Sequence, residues 1–163
     1  MKGLALALSL LAVVLAGSVA AQQNAGAAAK GLPKVFDPAR DPATDLRVAL
    51  AEAKRTGRRV LVDVGGEWCG WCHLMDKFLE EHTDLKGLRD KGFVWLKVNF
   101  SQENKNEKFL SAYPAIKGYP HLFVLDSEGK LLHSQDTGEL EEGKGYNLAK
   151  YTAFLKAWSP KKN

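Results

Sequence analysis

Two cysteines stand in this chain of 163 residues, and they fall together in the string Trp68-Cys69-Gly70-Trp71-Cys72-His73. What flanks that string constrains the fold. Before it, residues 60–64 are short, apolar and β-branched apart from Asp63, the pattern of a buried strand. Gly65-Gly66 breaks the strand. After it, Leu74, Met75, Phe78 and Leu79 recur at helical spacing and predict a helix over 70–81. The cysteines therefore sit where a buried strand gives way to a helix. A disulfide-dense scaffold is excluded, and any cysteine chemistry happens at one place.

The rest of the chain reads as one globular domain with an address in front of it. Hydrophobic residues make up 45% and charged residues 26%, a balance that excludes a disordered, collagen-like or coiled-coil chain. The net charge of +4 comes from 23 Lys and Arg scattered among 19 acids, so no basic stripe marks a nucleic-acid partner. Lys2, an apolar run over 4–16 broken by Ser9, and small residues over 17–21 read as a secretory signal peptide spanning 1–21. The run is shorter than the ~20 residues that cross a bilayer, so no stable membrane insertion is expected after cleavage. No cysteine follows it to carry a lipid. Residues 22–35, rich in Ala, Gly, Gln and Asn, read as a flexible leader, and the folded domain as 36–160. The expected location is periplasmic or secreted. A domain of that size buries a core without a staple. A lone adjacent cysteine pair in an exported chain thus points to chemistry rather than scaffolding.

Along the domain, turn signals at Asp37-Pro38 and Asp41-Pro42 precede a helix over 43–55 that Gly57 stops. A second short helix is expected over 84–89, a strand over 93–99 and a polar-faced helix over 104–113. A strand over 121–126, a turn at Asp126-Ser127-Glu128-Gly129 and a returning strand over 130–133 follow. Residues 138–145 read as an acidic, glycine-bearing loop, and 147–158 as a closing amphipathic helix. The order α-β-α-β-α-β-β-α implies an α/β fold: a central mixed β-sheet flanked by helices, with parallel pairing in its middle and an antiparallel edge.

At a helix start, the first cysteine is stabilised as a thiolate by the helix dipole and free backbone N–H groups. The second, one turn in and more buried, can attack a mixed disulfide formed by the first and release the partner. Cys69 is then the nucleophile and Cys72 the resolving thiol. Two rival chemistries use the same letters. The string is a complete C-x-x-C-H haem-attachment motif, but haem calls for a largely helical pocket, and Met75 lies too near along the helix to reach the opposite face. A structural zinc site calls for four ligands, and His73, His82, His121 and His133 supply no matching spacing. Dithiol–disulfide exchange is preferred, with neither cofactor nor metal.

Several separate segments resemble the thioredoxin superfamily. Residues 60–72 resemble its active-site strand and turn, Lys97-Val98-Asn99 its central strand, Gly118-Tyr119-Pro120 its cis-proline loop and 126–130 its last hairpin. The whole is most like exported bacterial thioredoxin-like proteins with a W-C-x-W-C centre. The resemblance implies a thioredoxin-like fold and roles for individual residues. Asp63 matches the family's buried acid, raised in pKa by desolvation and able to exchange the proton of Cys72. Lys97 matches the lysine beside that acid. Pro120 matches the cis-proline, with Tyr119 presenting backbone to a bound strand. Trp68 is a substrate-facing platform. Trp71 replaces the proline common between the cysteines of reducing thioredoxins, and His73 the usual lysine or arginine. Both departures bear on redox poise. The implied activity is a thiol–disulfide oxidoreductase acting on cysteines or disulfides of client proteins, reductase or isomerase rather than oxidase because Asp63 and Lys97 match the reducing family. Such a protein, expected as a monomer, needs an upstream donor, for instance a membrane thiol carrier. The alternative is a non-catalytic binding or chaperone module that uses the groove around Trp68, Tyr119 and Pro120.

Overall fold

The computed structural model describes residues 31–161. The expected signal peptide and most of the expected leader lie outside the described residues. Helix α1 (Pro42–Thr56) starts where Asp41 accepts hydrogen bonds from the N–H groups of Ala43 and Thr44. It ends at Gly57, whose φ of 66° is the left-handed conformation that glycine adopts without a Cβ penalty. Strand β1 (Arg59–Gly65), helix α2 (Gly70–Glu81), helix α3 (Thr83–Gly92) and strand β2 (Phe93–Asn99) follow. A single-turn helix α4 (Glu107–Leu110), strand β3 (His121–Leu125) and strand β4 (Leu131–Asp136) come next. A 3₁₀ turn (Thr137–Leu140), a small hairpin of β5 (Glu141–Glu142) and β6 (Gly145–Tyr146), and helix α5 (Leu148–Trp158) complete the domain.

The main sheet has the order β2-β1-β3-β4, and its strands β1, β2 and β3 are buried on both faces while β4 is mostly half-buried. On one face Val60, Val62, Val64, Val94, Leu96, Val98, Phe123 and Leu125 meet Ala49 and Ala53 of α1. On the other, Leu61, Phe93, Leu122 and Val124 meet Met75, Phe78 and Leu79 of α2 and Tyr151, Phe154 and Leu155 of α5. Burial on both faces explains why β1, β2 and β3 read as nearly continuous apolar runs rather than alternating ones. It also makes the polar members of those strands conspicuous. Side chains two apart share a face, so Asp63 lies on the α2 side with Leu61, and Lys97 on that side with Phe93.

Three expectations are corrected. First, parallel pairing is confined to β1 and β2, with β2 at the sheet edge; β3 lies antiparallel to β1. Since β2 runs parallel to β1 and β3 antiparallel to it, β2 and β3 run in opposite directions. Strand β3 therefore re-enters from the end where β2 left. Second, the helix expected over 104–113 shrinks to α4. The Asn104 carbonyl, which a helix would offer four residues ahead, instead accepts the Ser101 N–H at 3.0 Å and Asn99 Nδ2 at 2.8 Å, and Asn106 Nδ2 donates to the Asn99 carbonyl at 2.7 Å. Asn106 itself is left-handed, with φ 49°. Third, 138–145 is not a plain loop but the end of the 3₁₀ turn plus the β5–β6 hairpin, and β4 runs three residues beyond the expected 130–133.

Candidate active site

Cys69 is the N-cap of α2, with extended backbone, and its Sγ accepts the Cys72 N–H at 3.1 Å. The N–H groups of Cys72 and His73 also donate to the Cys69 carbonyl. The two sulfurs are bonded to each other, with the Cα atoms 5.2 Å apart. Cys69 is 3% exposed and Cys72 fully buried, so the outer sulfur is the one a partner reaches. Glycine is required just before the turn: a Cβ on Gly65 would stand 2.5 Å from Cys72 Sγ.

The strand before the cysteines and the helix after them share a charged cluster with β2. Parallel register pairs Asp63 with Lys97. Lys97 Nζ donates to Asp63 Oδ2 at 3.0 Å and to Asp76 Oδ1 and Oδ2 at 2.9 and 3.0 Å. Asp63 is fully buried, and its Oδ1 has no hydrogen-bond partner among the described residues. Burial pushes the Asp63 carboxyl above its ordinary value, and the attraction of Lys97 offsets only part of that. Burial pulls Lys97 the other way, but the Asp63 and Asp76 carboxylates outweigh it and hold the ammonium above its ordinary value. The two shifts are not mirror images because of Asp76, which attracts Lys97 and repels a charge on Asp63. Asp76 escaped sequence reasoning. Its signal was helical spacing: four residues after Cys72, it lies on the same face of α2.

The rim is aromatic. Trp68 is 58% exposed, and its Nε1–H donates to the Phe100 carbonyl at 2.7 Å. Tyr119 meets Trp68 edge-on at 5.6 Å and stacks on Phe100 at 4.8 Å. The Tyr119–Pro120 peptide bond is cis, and the Pro120 carbonyl accepts from Thr137 Oγ1 at 2.6 Å. Thr137 was not singled out in the sequence, since it precedes a stretch read as a loop. Trp71 turns inward, edge-on to Tyr146 at 5.7 Å, and packs on the α2-side core rather than standing out as a platform. His73 Nε2 pairs with the Glu67 carbonyl at 2.8 Å. A groove of about 760 Å³ opens beside Trp68, walled by Phe36, Pro38, Glu67, Phe100 and Glu103. All eight residues singled out in the sequence thus lie in or around one site: Asp63, Trp68, Cys69, Trp71, Cys72, Lys97, Tyr119 and Pro120.

The thiol:disulfide interchange protein DsbE of Pseudomonas aeruginosa is 29% identical over 121 residues, covering 63% of this chain and 59% of that protein. The disulfide bond reductase DsbH of Chlamydia pneumoniae is 28% identical over 93 residues, covering 52% of this chain and 55% of that protein. The chain thus spans less than two thirds of the length of either relative. Among solved structures, a disulphide isomerase from Xylella fastidiosa Temecula1 is similar with a TM-score of 0.65 and 29% identity, over 78% of this chain and 96% of that one. The sequence pattern of the family described as thioredoxin-like matches residues 41–127, which run from the cap of α1 through both cysteines and the cis-proline to the turn after β3. The chain belongs to the thioredoxin-like family.

Proposed function

We propose that this domain is a thiol–disulfide oxidoreductase that exchanges disulfides with client proteins through Cys69 and Cys72. The observation that carries the reading is the bonded pair at the start of α2, with a fully buried Asp63 in the strand that leads to it. In the reduced form, the Cys69 thiolate attacks a client disulfide. One client sulfur leaves as a thiolate, and the other is held in a mixed disulfide. Cys72 then loses its proton to the Asp63 carboxylate and attacks Cys69 Sγ. The second client thiolate leaves, and the Cys69–Cys72 bond forms. Two electrons pass to the client. Recharging needs a dithiol donor, and a membrane thiol carrier fits that role. Trp68, Tyr119 and the cis Pro120 would form the rim on which the client segment lies.

The direction proposed is reductase or isomerase. Asp63 and Lys97 support it, as do the similarities to a Chlamydia disulfide bond reductase and a Xylella disulphide isomerase. The pattern of residues 1–21 supports export to the periplasm or beyond. Among the described residues, no helix is long and apolar enough to cross a membrane. The test is insulin reduction with dithiothreitol as donor. The wild type is expected to accelerate it, and Cys69→Ser to lose the acceleration; equal rates reject the mechanism. Cys72→Ser is expected to accumulate mixed disulfides with clients. The exposed Trp68 beside its groove favours one second reading, a non-covalent binder. Client binding by Cys72→Ser without any trapped disulfide would establish that instead.

A further inference from the structure

Phe36 precedes α1 and belongs to none of the elements that carry the cysteines, yet it is 1% exposed and packs in one apolar cluster with Cys69 and Cys72. Lys97 Nζ lies 4.0 Å from the centre of its ring. A Cβ on Gly65 would meet both Cys72 Sγ, at 2.5 Å, and the Phe36 ring, at 2.9 Å, so ring, glycine and sulfur converge at one point. The ammonium of Lys97 is thereby enclosed. Its hydrogen bonds go to Asp63 and Asp76, and the aromatic face covers another side.

The ring is held from two directions. The Phe36 N–H donates to Glu67 Oε1 at 2.8 Å, and Glu67 immediately precedes Trp68. Two residues on, the Pro38 carbonyl accepts from Asn104 Nδ2 at 2.8 Å. Glu67 also reaches α2, through the contact of its carbonyl with His73. One carboxylate thus ties the segment before α1 to the loop that presents the cysteines.

We propose that Phe36, pinned by Glu67, is a positioning residue for the thiol chemistry: its ring keeps water from Lys97 and Cys72, and so preserves the dry surroundings in which Cys72 and Asp63 exchange a proton. The inference rests on the redox reading above. The groups that act on Asp63 are Lys97 and Trp95 from β2 and Asp76 from α2, with the hydroxyls of Tyr146 and Tyr151 lying near enough to feel its charge. None of them replaces the ring as a cover over the lysine. Without it, water hydrates the ionised forms of both Asp63 and Cys72, and each gives up its proton at lower pH.

The experiment compares Phe36→Ala, Phe36→Leu, Glu67→Ala and Glu67→Gln with the parent. The first readout is iodoacetamide alkylation of Cys72 in a Cys69→Ser background. The second is the pH profile of insulin reduction with Cys69 intact. Phe36→Ala is expected to speed alkylation about tenfold at neutral pH and to move the acid limb of the profile down by about one pH unit. Phe36→Leu, which keeps an apolar cover, is expected to stay near the parent. Glu67→Ala shifts both readouts the same way but less, and Glu67→Gln, which still accepts the Phe36 N–H, restores them. A purely structural role would lower the melting temperature and leave the acid limb in place. A cooperatively folded Phe36→Ala with parental alkylation and a parental acid limb overturns the proposal. If Phe36→Ala does not fold, Glu67→Ala decides in the same way, since that side chain is half exposed. Alkylation needs no turnover. A parent that fails to reduce insulin therefore overturns the redox reading alone, while the alkylation rates still judge the seal.

Discussion

Asp63 carries the sharpest consequence of single-residue chemistry. Its carboxyl is held above the ordinary range by burial, so the folded state keeps a proton that the unfolded chain has already lost. Below the ordinary carboxylate range both states are protonated and the residue contributes no slope. Between that range and the raised folded value, stability falls as pH rises, by at most about 1.4 kcal/mol per pH unit. Above the folded value the cost is complete. Lys97, shifted upward, acts only in the alkaline range and does not blur this window. Asp63→Asn can still accept from Lys97 and has nothing to titrate. Its stability relative to the parent, measured by urea unfolding from pH 4 to 8, is expected to improve steadily with pH. A constant difference would place an ionised Asp63 in the fold throughout. The sequence made this acid and its lysine legible as neighbours, because their resemblance to a known strand pair carried a register with it. Asp76 and Phe36 were not legible. A surface aspartate on a helix and an aromatic residue before the first helix look ordinary until the fold brings them to one ammonium.

Elements were legible where hydrophobic period and breakers agreed. The bounds expected for the cysteine-bearing helix and for the strand over 93–99 coincide with α2 and β2, since each apolar run ends at a polar residue, Glu81 and Asn99. The stretch 104–113 defeated the same reasoning. Phe109, Leu110 and Tyr113 do pack on the α1 side of the sheet, as their spacing suggests. The Asn104 carbonyl and the Asn106 side chain nevertheless bond back to Asn99 and Ser101, and the helix keeps one turn. The link between β1 and α2 shows the opposite case, a breaker with a spatial reason. Gly65 is no mere strand terminator, because any side chain there would collide with Cys72 Sγ and the Phe36 ring. Gly65→Ala is expected to destabilise the domain by about 1–3 kcal/mol, the usual cost of forcing an extra methyl into a filled core. Chemical denaturation measures it; a neutral substitution would mean that α2 moves away from β1 freely.

At the scale of the whole molecule, the disulfide and the core have separate tasks. The bridge spans a sequence separation of three, so it restrains very little of the unfolded chain, about 2 kcal/mol in the loop-entropy account and less with any residual structure. Cohesion comes instead from two apolar layers, one on each face of the sheet, and neither depends on the sulfur bond. A protein that cycles between dithiol and disulfide needs that division, because its fold must survive every turnover. Reduction is therefore expected to lower the free energy of unfolding by no more than about 2 kcal/mol, with cooperative unfolding retained. Urea titrations of the oxidised protein, the dithiothreitol-reduced protein and a Cys69→Ser/Cys72→Ser double variant would show it. The near-ultraviolet circular dichroism should keep the fixed aromatic environment set by Trp71, Tyr146 and Tyr151. If reduction instead gave a state with helical far-ultraviolet signal but no near-ultraviolet signal, the bridge would be holding the core together. The pair would then be a structural staple, and the exchange chemistry assigned to it would lose its physical basis.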